Sequence, residues 1–199
     1  MKYPNKIKKL HHNETNYANR GMTLENDLNL TNNYYLENNI AIIYKKATPI
    51  QVVKINYDNK RHPLIKEAYF QTPSTTDYNG VYRGQYIDFE AKETKNKTSF
   101  PLTNIHKHQL NHIEKVIEHG GISFIIVRWT TLNKTYLLKG ETLISYINNK
   151  KQKSIPLTFF KKEGYIIKEN YQPRLDYLKI IDLIYIGDSN EKNNTLSKK

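Results

Sequence analysis

The run Ile122–Trp129 (ISFIIVRW) sets the strongest limit on what this chain can fold into. A strand with one face in water alternates apolar and polar residues. A strand that is apolar almost throughout belongs in the middle of a sheet covered on both faces. Such a sheet needs helices above and below it, and the flanking sequence offers them. Ile105, Gln109, Ile113, Val116 and Ile117 lie near one stripe of a helix that Thr103 or Asn104 can cap and Gly120-Gly121 can end. Met22, Leu24, Leu28, Tyr35 and Leu36 have roughly helical spacing across 20–38, with Thr23 or Asn19 as cap. Strand-like runs follow at 40–44, 50–57 and 64–71, a further strand at 135–138, and helices at 141–148 and 174–186. The order predicts a mixed α/β sheet flanked by helices.

The segment Asp77–Glu93 (DYNGVYRGQYIDFEAKE) predicts a hairpin turning at Arg83-Gly84. That turn pairs Tyr82 with Gln85 and, in the same register, Asp77 with Glu90. Side chains alternate along a strand, so Asp88, Glu90 and Lys92 share one face while Ile87, Phe89 and Ala91 share the core face.

The chain has 199 residues, which suits one domain over 20–187 with a basic, flexible arm at 1–19 and a disordered polar tail at 188–199. Lys and Arg number 31 against 19 Asp and Glu, a net charge of +12. Such a charge suits a polyanionic partner, because neutralised phosphates release counterions. No run approaches the ~18 apolar residues of a membrane span, and the N-terminus lacks the apolar core of a secretory signal. The absence of cysteine excludes disulfides and thiolate metal sites and fits a cytoplasmic protein.

Phosphodiester hydrolysis calls for divalent cations, which neutralise developing charge and acidify the attacking water. Magnesium prefers oxygen ligands and keeps several waters, so two carboxylates are a natural protein contribution. Asp77, Glu90 and Lys92 supply two carboxylates and an ammonium that can offset charge in the transition state. The pattern Asp…Glu-x-Lys is short, and a surface Glu–Lys pair is often only a solvated face.

The stretch Lys66–Leu102 (KEAYFQTPSTTDYNGVYRGQYIDFEAKETKNKTSFPL), together with NRGMTLE at 19–25, resembles RecU, the Holliday-junction resolvase family of Gram-positive bacteria, within the PD-(D/E)xK nucleases. The resemblance runs from about Asn19 to Trp129 and more loosely to the last helix. It implies a restriction-endonuclease-like core with an inserted stalk, expected around 61–75. It implies a homodimer that cuts four-way DNA junctions symmetrically with magnesium or manganese in recombination and repair, that modulates the RecA recombinase, and that works at the nucleoid. Residue by residue, it places metal contacts on Thr75, Asp77, Glu90 and Gln109, and the catalytic lysine on Lys92. The superfamily's proline is not directly before Asp77: Pro73 lies four residues earlier, a departure RecU proteins share.

Contacts to DNA are expected from Arg20, Arg61 and Lys66, from Tyr69 and Phe70 stacking on unpaired bases, and from Lys95 and Lys97, with Lys150–Lys153 as a second basic loop. Asp88 either assists the metal or pairs with Arg83 or solvent. Glu25 either reaches the metal site or Lys92, or is surface charge. His108 and His112 have the i,i+4 spacing of a zinc pair, but nothing completes a zinc site. Two other classes stay open: a nuclease of this fold acting on linear duplex, and a junction-binding protein without catalysis. Sequence preference, metal count and the roles of arm and tail are not legible.

Overall fold

The computed structural model describes residues 23–58, 62–71, 75–149 and 152–187. Helix α1 spans Leu24–Glu37, and the Thr23 side chain caps it by accepting from Asn26 N at 3.3 Å. Then come β1 (Ile42–Lys45), β2 (Ile50–Asn56), β3 (Leu64–Phe70), β4 (Tyr78–Tyr82), β5 (Gln85–Thr94) and β6 (Ser99–Pro101). After a 3-10 turn at Leu102–Asn104 come α2 (Lys107–Glu118), β7 (Ile122–Trp129), β8 (Lys134–Lys139) and α3 (Gly140–Asn149). The chain closes with β9 (Ser154–Pro156), α4 (Leu157–Glu163), β10 (Tyr165–Ile167), α5 (Leu178–Ile181) and a π-helical turn at Asp182–Ile186.

Six strands form the central sheet in the order β1-β4-β5-β7-β8-β10. Only β5 and β7 run parallel; the other neighbours are antiparallel. The sheet is therefore mixed and flanked by helices, as the sequence predicts. Every residue of β7 is buried. Ile122, Phe124 and Ile126 face a core with Leu24, Leu28 and Tyr35 of α1 and Leu178 and Ile181 of α5. Ile125, Val127 and Trp129 face a second core with Ile113 of α2, Leu143 of α3 and Phe160 of α4. Tyr78, Phe89 and Phe124 stack across three strands at 4.8 Å centroid spacing. Gly80 lets β1 approach β4, because a Cβ there would stand 2.0 Å from the Ile42 carbonyl oxygen. Asp27, buried in α1, accepts from Arg128 of β7 at 2.7 Å and from Arg174 at 3.1 Å, fixing the helix to the sheet and the C-terminal segment.

Three expectations need correction. The inserted element is not confined to 61–75. It is the pair β2–β3, from Ile50↔Phe70 to Asn56↔Leu64, because a projecting β3 needs β2 to satisfy its backbone groups. The second helix starts at Lys107 rather than after Thr103 or Asn104, because His106 is its N-cap and Gln109 Oε1 accepts from His106 N at 2.9 Å. The last helix does not run from 174: Glu169 and Leu175 form a bridge, and helix begins at Leu178. The segments β6, β9, α4 and β10 carried too short a pattern to be expected. The arm at 1–19 and the tail at 188–199 lie outside the described residues.

Candidate active site

The β4–β5 turn places Arg83 and Gly84 at positive φ (47° and 76°), the conformation a two-residue hairpin of this hand needs. Tyr82 pairs with Gln85, and the ladder runs unbroken to Tyr78↔Phe89. Asp77 stands one residue beyond its end, level with Glu90. Its carboxylate Oδ2 accepts from Ala91 N at 3.2 Å.

Glu90 is fully buried between β5 and α2. Its Oε1 accepts from Lys92 Nζ and from Gln109 Nε2, each at 2.7 Å. Its Oε2 is buried without a partner. Burial, then the closeness and charge of the Asp77 carboxylate, push the Glu90 carboxyl up to about 8, against the opposing pull of Lys92. A carboxylate pair of this kind, Glu90 buried and Asp77 half-buried, with one oxygen unsatisfied, fits a divalent cation, which would remove the repulsion and occupy that oxygen. Among the described residues, no three or more His, Cys, Asp or Glu side chains form a metal cluster. The set here rests on two carboxylates with a hydroxyl and an amide nearby. The Thr75 hydroxyl, half-buried, donates to the Thr76 carbonyl at 3.4 Å rather than to a carboxylate. Gln109 is buried. Its amide nitrogen holds Glu90, while its oxygen serves the helix cap.

The sequence leaves Asp88 either to assist the metal or to pair with Arg83 or solvent. The structure places it elsewhere. Asp88 is fully buried and binds Lys46 Nζ at 2.7 Å, the Thr76 hydroxyl, Tyr86 OH at 2.9 Å and His112 Nε2 at 3.2 Å. Arg83 pairs instead with Asp182 at 3.3 Å. Helix α2 covers this face of β5, so both acids of the face are buried rather than solvated. Glu25 reaches Lys45 at 2.5 Å, not Lys92. His112 serves Asp88 and is not paired with His108. Nothing in the sequence marked Lys46 or Thr76, and His112 stood out only for its spacing from His108. The one available signal was the spacing of Gln109 and His112, two polar residues on the buried stripe of α2.

Lys66, Tyr69 and Phe70 lie on the β2–β3 arm, with Tyr69 61% and Phe70 83% exposed. Lys95 and Lys97 are exposed in the loop just past Lys92 on β5. Arg20 and Arg61 lie outside the described residues, as does Lys150 of the second basic loop.

The family model described as RecU, Recombination protein U, matches residues 19–183. The chain belongs to the RecU family. A Geobacillus sp. protein named "Holliday junction resolvase RecU" is 54% identical over 177 residues, covering 87% of this chain and 88% of its own. The same name is carried by an Oceanobacillus iheyensis protein, 49% identical over 195 residues, covering 93% of this chain and 100% of its own. A solved structure of Archaeoglobus fulgidus Hjc, a Holliday junction resolvase, aligns with a TM-score of 0.38 at 10% identity, over 66% of this chain and 83% of that one. That last likeness is too loose to bear on function.

Proposed function

We propose that the chain is a Holliday-junction resolvase, a DNA endonuclease that cuts four-way junctions with magnesium or manganese. The observation that carries the chemistry is the Asp77–Glu90 pair, with Glu90 fully buried, its Oε2 unpartnered and the Lys92 ammonium 2.7 Å from its other oxygen. Membership of the RecU family, whose relatives bear the resolvase name, supports the substrate.

A divalent cation bound here supplies charge neutralisation and a more acidic water. Asp77 and Glu90 would hold it, and the family resemblance adds the Thr75 hydroxyl. Gln109 fixes the Glu90 carboxylate through its amide, and its own oxygen would reach the cation only by leaving His106 N. Lys92, 2.7 Å from Glu90 Oε1, would offset the charge that develops on the phosphate. Lys95 and Lys97 extend positive charge from the site along a duplex arm, and the β2–β3 arm offers Tyr69 and Phe70 to unpaired bases at the junction centre. Two copies related by a twofold axis would cut opposed strands symmetrically. Modulation of RecA is carried into the proposal by the family resemblance alone. Work on chromosomal DNA would place the protein in the cytoplasm, at the nucleoid.

The test is cleavage of a mobile four-way junction and a matched linear duplex, with magnesium and with chelator. The reading expects paired nicks on the junction, none in chelator and far slower cutting of the duplex. Equal rates on both substrates would replace it with a duplex nuclease.

A further inference from the structure

A second polar cluster lies beside the proposed cation site, and the chemistry above does not use it. Asp88 precedes Glu90 by two on the same face of β5. Its Oδ2 is met by Lys46, Tyr86 and His112, and its Oδ1 by the Thr76 hydroxyl. Lys46 Nζ also donates to Thr76 Oγ1 at 3.1 Å, closing a triangle. Burial alone would push the Asp88 carboxyl up. The hydrogen bonds from Lys46 and Thr76 and the charges of Lys46 and His112 hold it below the usual carboxylate range. Both oxygens are occupied, so a cation would have to displace the Lys46 ammonium from Oδ2 or the Thr76 hydroxyl from Oδ1. Asp88 is therefore not a third metal acid.

Two of its partners hold special places in the chain. Lys46 directly follows β1, where the chain leaves for the β2–β3 arm, and Thr76 lies just before β4, where it returns. Lys46 N donates to the Asp77 carbonyl at 2.7 Å. The two roots of the arm are thus joined by backbone to each other and by side chain to Asp88. Thr76 is the residue before Asp77, so whatever fixes Thr76 fixes the start of the Asp77 side chain.

We propose that Asp88 is a positioning residue that pins both roots of the arm to the catalytic strand and so sets the Asp77 carboxylate opposite Glu90. This rests on Asp77 and Glu90 being the cation site. It makes the arm and the site one mechanical unit: a displaced arm root moves Asp77.

Thr76→Val and Tyr86→Phe each remove one donor from the same carboxylate. Only Thr76 belongs to an arm root, since Tyr86 stands on β5 itself. Mn2+ affinity of the DNA-free protein is read from the free-ion electron paramagnetic resonance signal, alongside junction cleavage and melting temperature. Thr76→Val should weaken Mn2+ binding by about tenfold or more, the scale of one hydrogen bond to a charged group. Thr76→Ser, which keeps the hydroxyl, should restore it, and Tyr86→Phe should leave it unchanged. Wild-type affinity in Thr76→Val, or equal loss in Tyr86→Phe, overturns the inference. If Thr76→Val does not fold, Lys46→Gln replaces it with the same two outcomes. Wild-type protein that neither binds Mn2+ nor cuts junctions would overturn the cation site itself. A working wild type beside an indifferent Thr76→Val overturns only the role of Asp88.

Discussion

Two antiparallel strand pairs stand next to each other in this chain and live in opposite environments. The β4–β5 hairpin is flanked by β1 and β7 and covered by α1 and α2. Its ladder is regular, and a slip of one residue would send Phe89 into the Glu90 position. The β2–β3 arm has every residue exposed but Asn56, which is half-buried, and its register shifts twice between Val52 and Ile55. An isolated two-stranded hairpin is marginal in water. The body thus fixes where charges sit, and the arm leaves apolar side chains such as Phe70 exposed. Buried register sets Asp77 level with Glu90, and exposed, irregular pairing leaves the arm's side chains uncovered.

Substitution at the two ends of this contrast should separate chemistry, stability and binding. The largest effect belongs to the Asp77–Glu90 carboxylates. Asp77→Asn should slow junction cleavage by a factor of about a thousand or more while junction binding persists, as expected when transition-state charge loses its counterion. Assays of single-turnover cleavage beside gel-shift binding check both halves. Next come the two phenylalanines. Phe89→Ala removes a ring buried in three aromatic contacts and should cost about 3–5 kcal/mol by urea denaturation. Phe70→Ala should cost under about 0.5 kcal/mol by the same measure. It should still weaken junction binding by about 1–3 kcal/mol, one lost base stack. Equal destabilisation by the two would erase the contrast.

Glu90 sharpens it through pH. Its folded carboxyl titrates at about 8 against an ordinary 4.5. Between those values the native state keeps a proton that the unfolded chain has released, so metal-free stability falls as pH rises through the window. Glu90→Gln should therefore melt higher than wild type at pH 8.5 without metal, and the gap should close toward pH 4. A gap that widens in acid would contradict the burial argument. The smallest effect is at Lys97, exposed on the surface: Lys97→Ala should lower the salt slope of junction binding by about one and leave stability untouched.

Much of the body was legible because its residues obey local rules. The apolar run at Ile122–Trp129 could only be a doubly covered strand, and Arg83-Gly84 set a register that put Asp77 level with Glu90. The arm was less legible. Its limits depend on which strand satisfies β3, a long-range fact that the polar stretch near Asp58 disguised. Asp88 was hardest, because alternation shows which face a residue takes but not what covers that face. Helix α2 lies over it, and Lys46 and Thr76 come from 42 and 12 residues away. The C-terminal segment was read as helix from 174 because its apolar spacing is helical, yet Arg174 is held by Asp27 and Leu175 N by the Thr31 hydroxyl.

The central claim is that Asp77 and Glu90 together seat a divalent cation that drives junction cleavage. The most direct test is single-turnover cleavage of a four-way junction by wild type, Asp77→Asn and the double variant Asp77→Asn/Glu90→Gln, with Mn2+ binding measured on the same preparations. One shared site predicts that the single variant already loses both binding and cleavage, and that the double variant loses no more. Full cleavage by Asp77→Asn, or Mn2+ binding unchanged in the double variant, would contradict it.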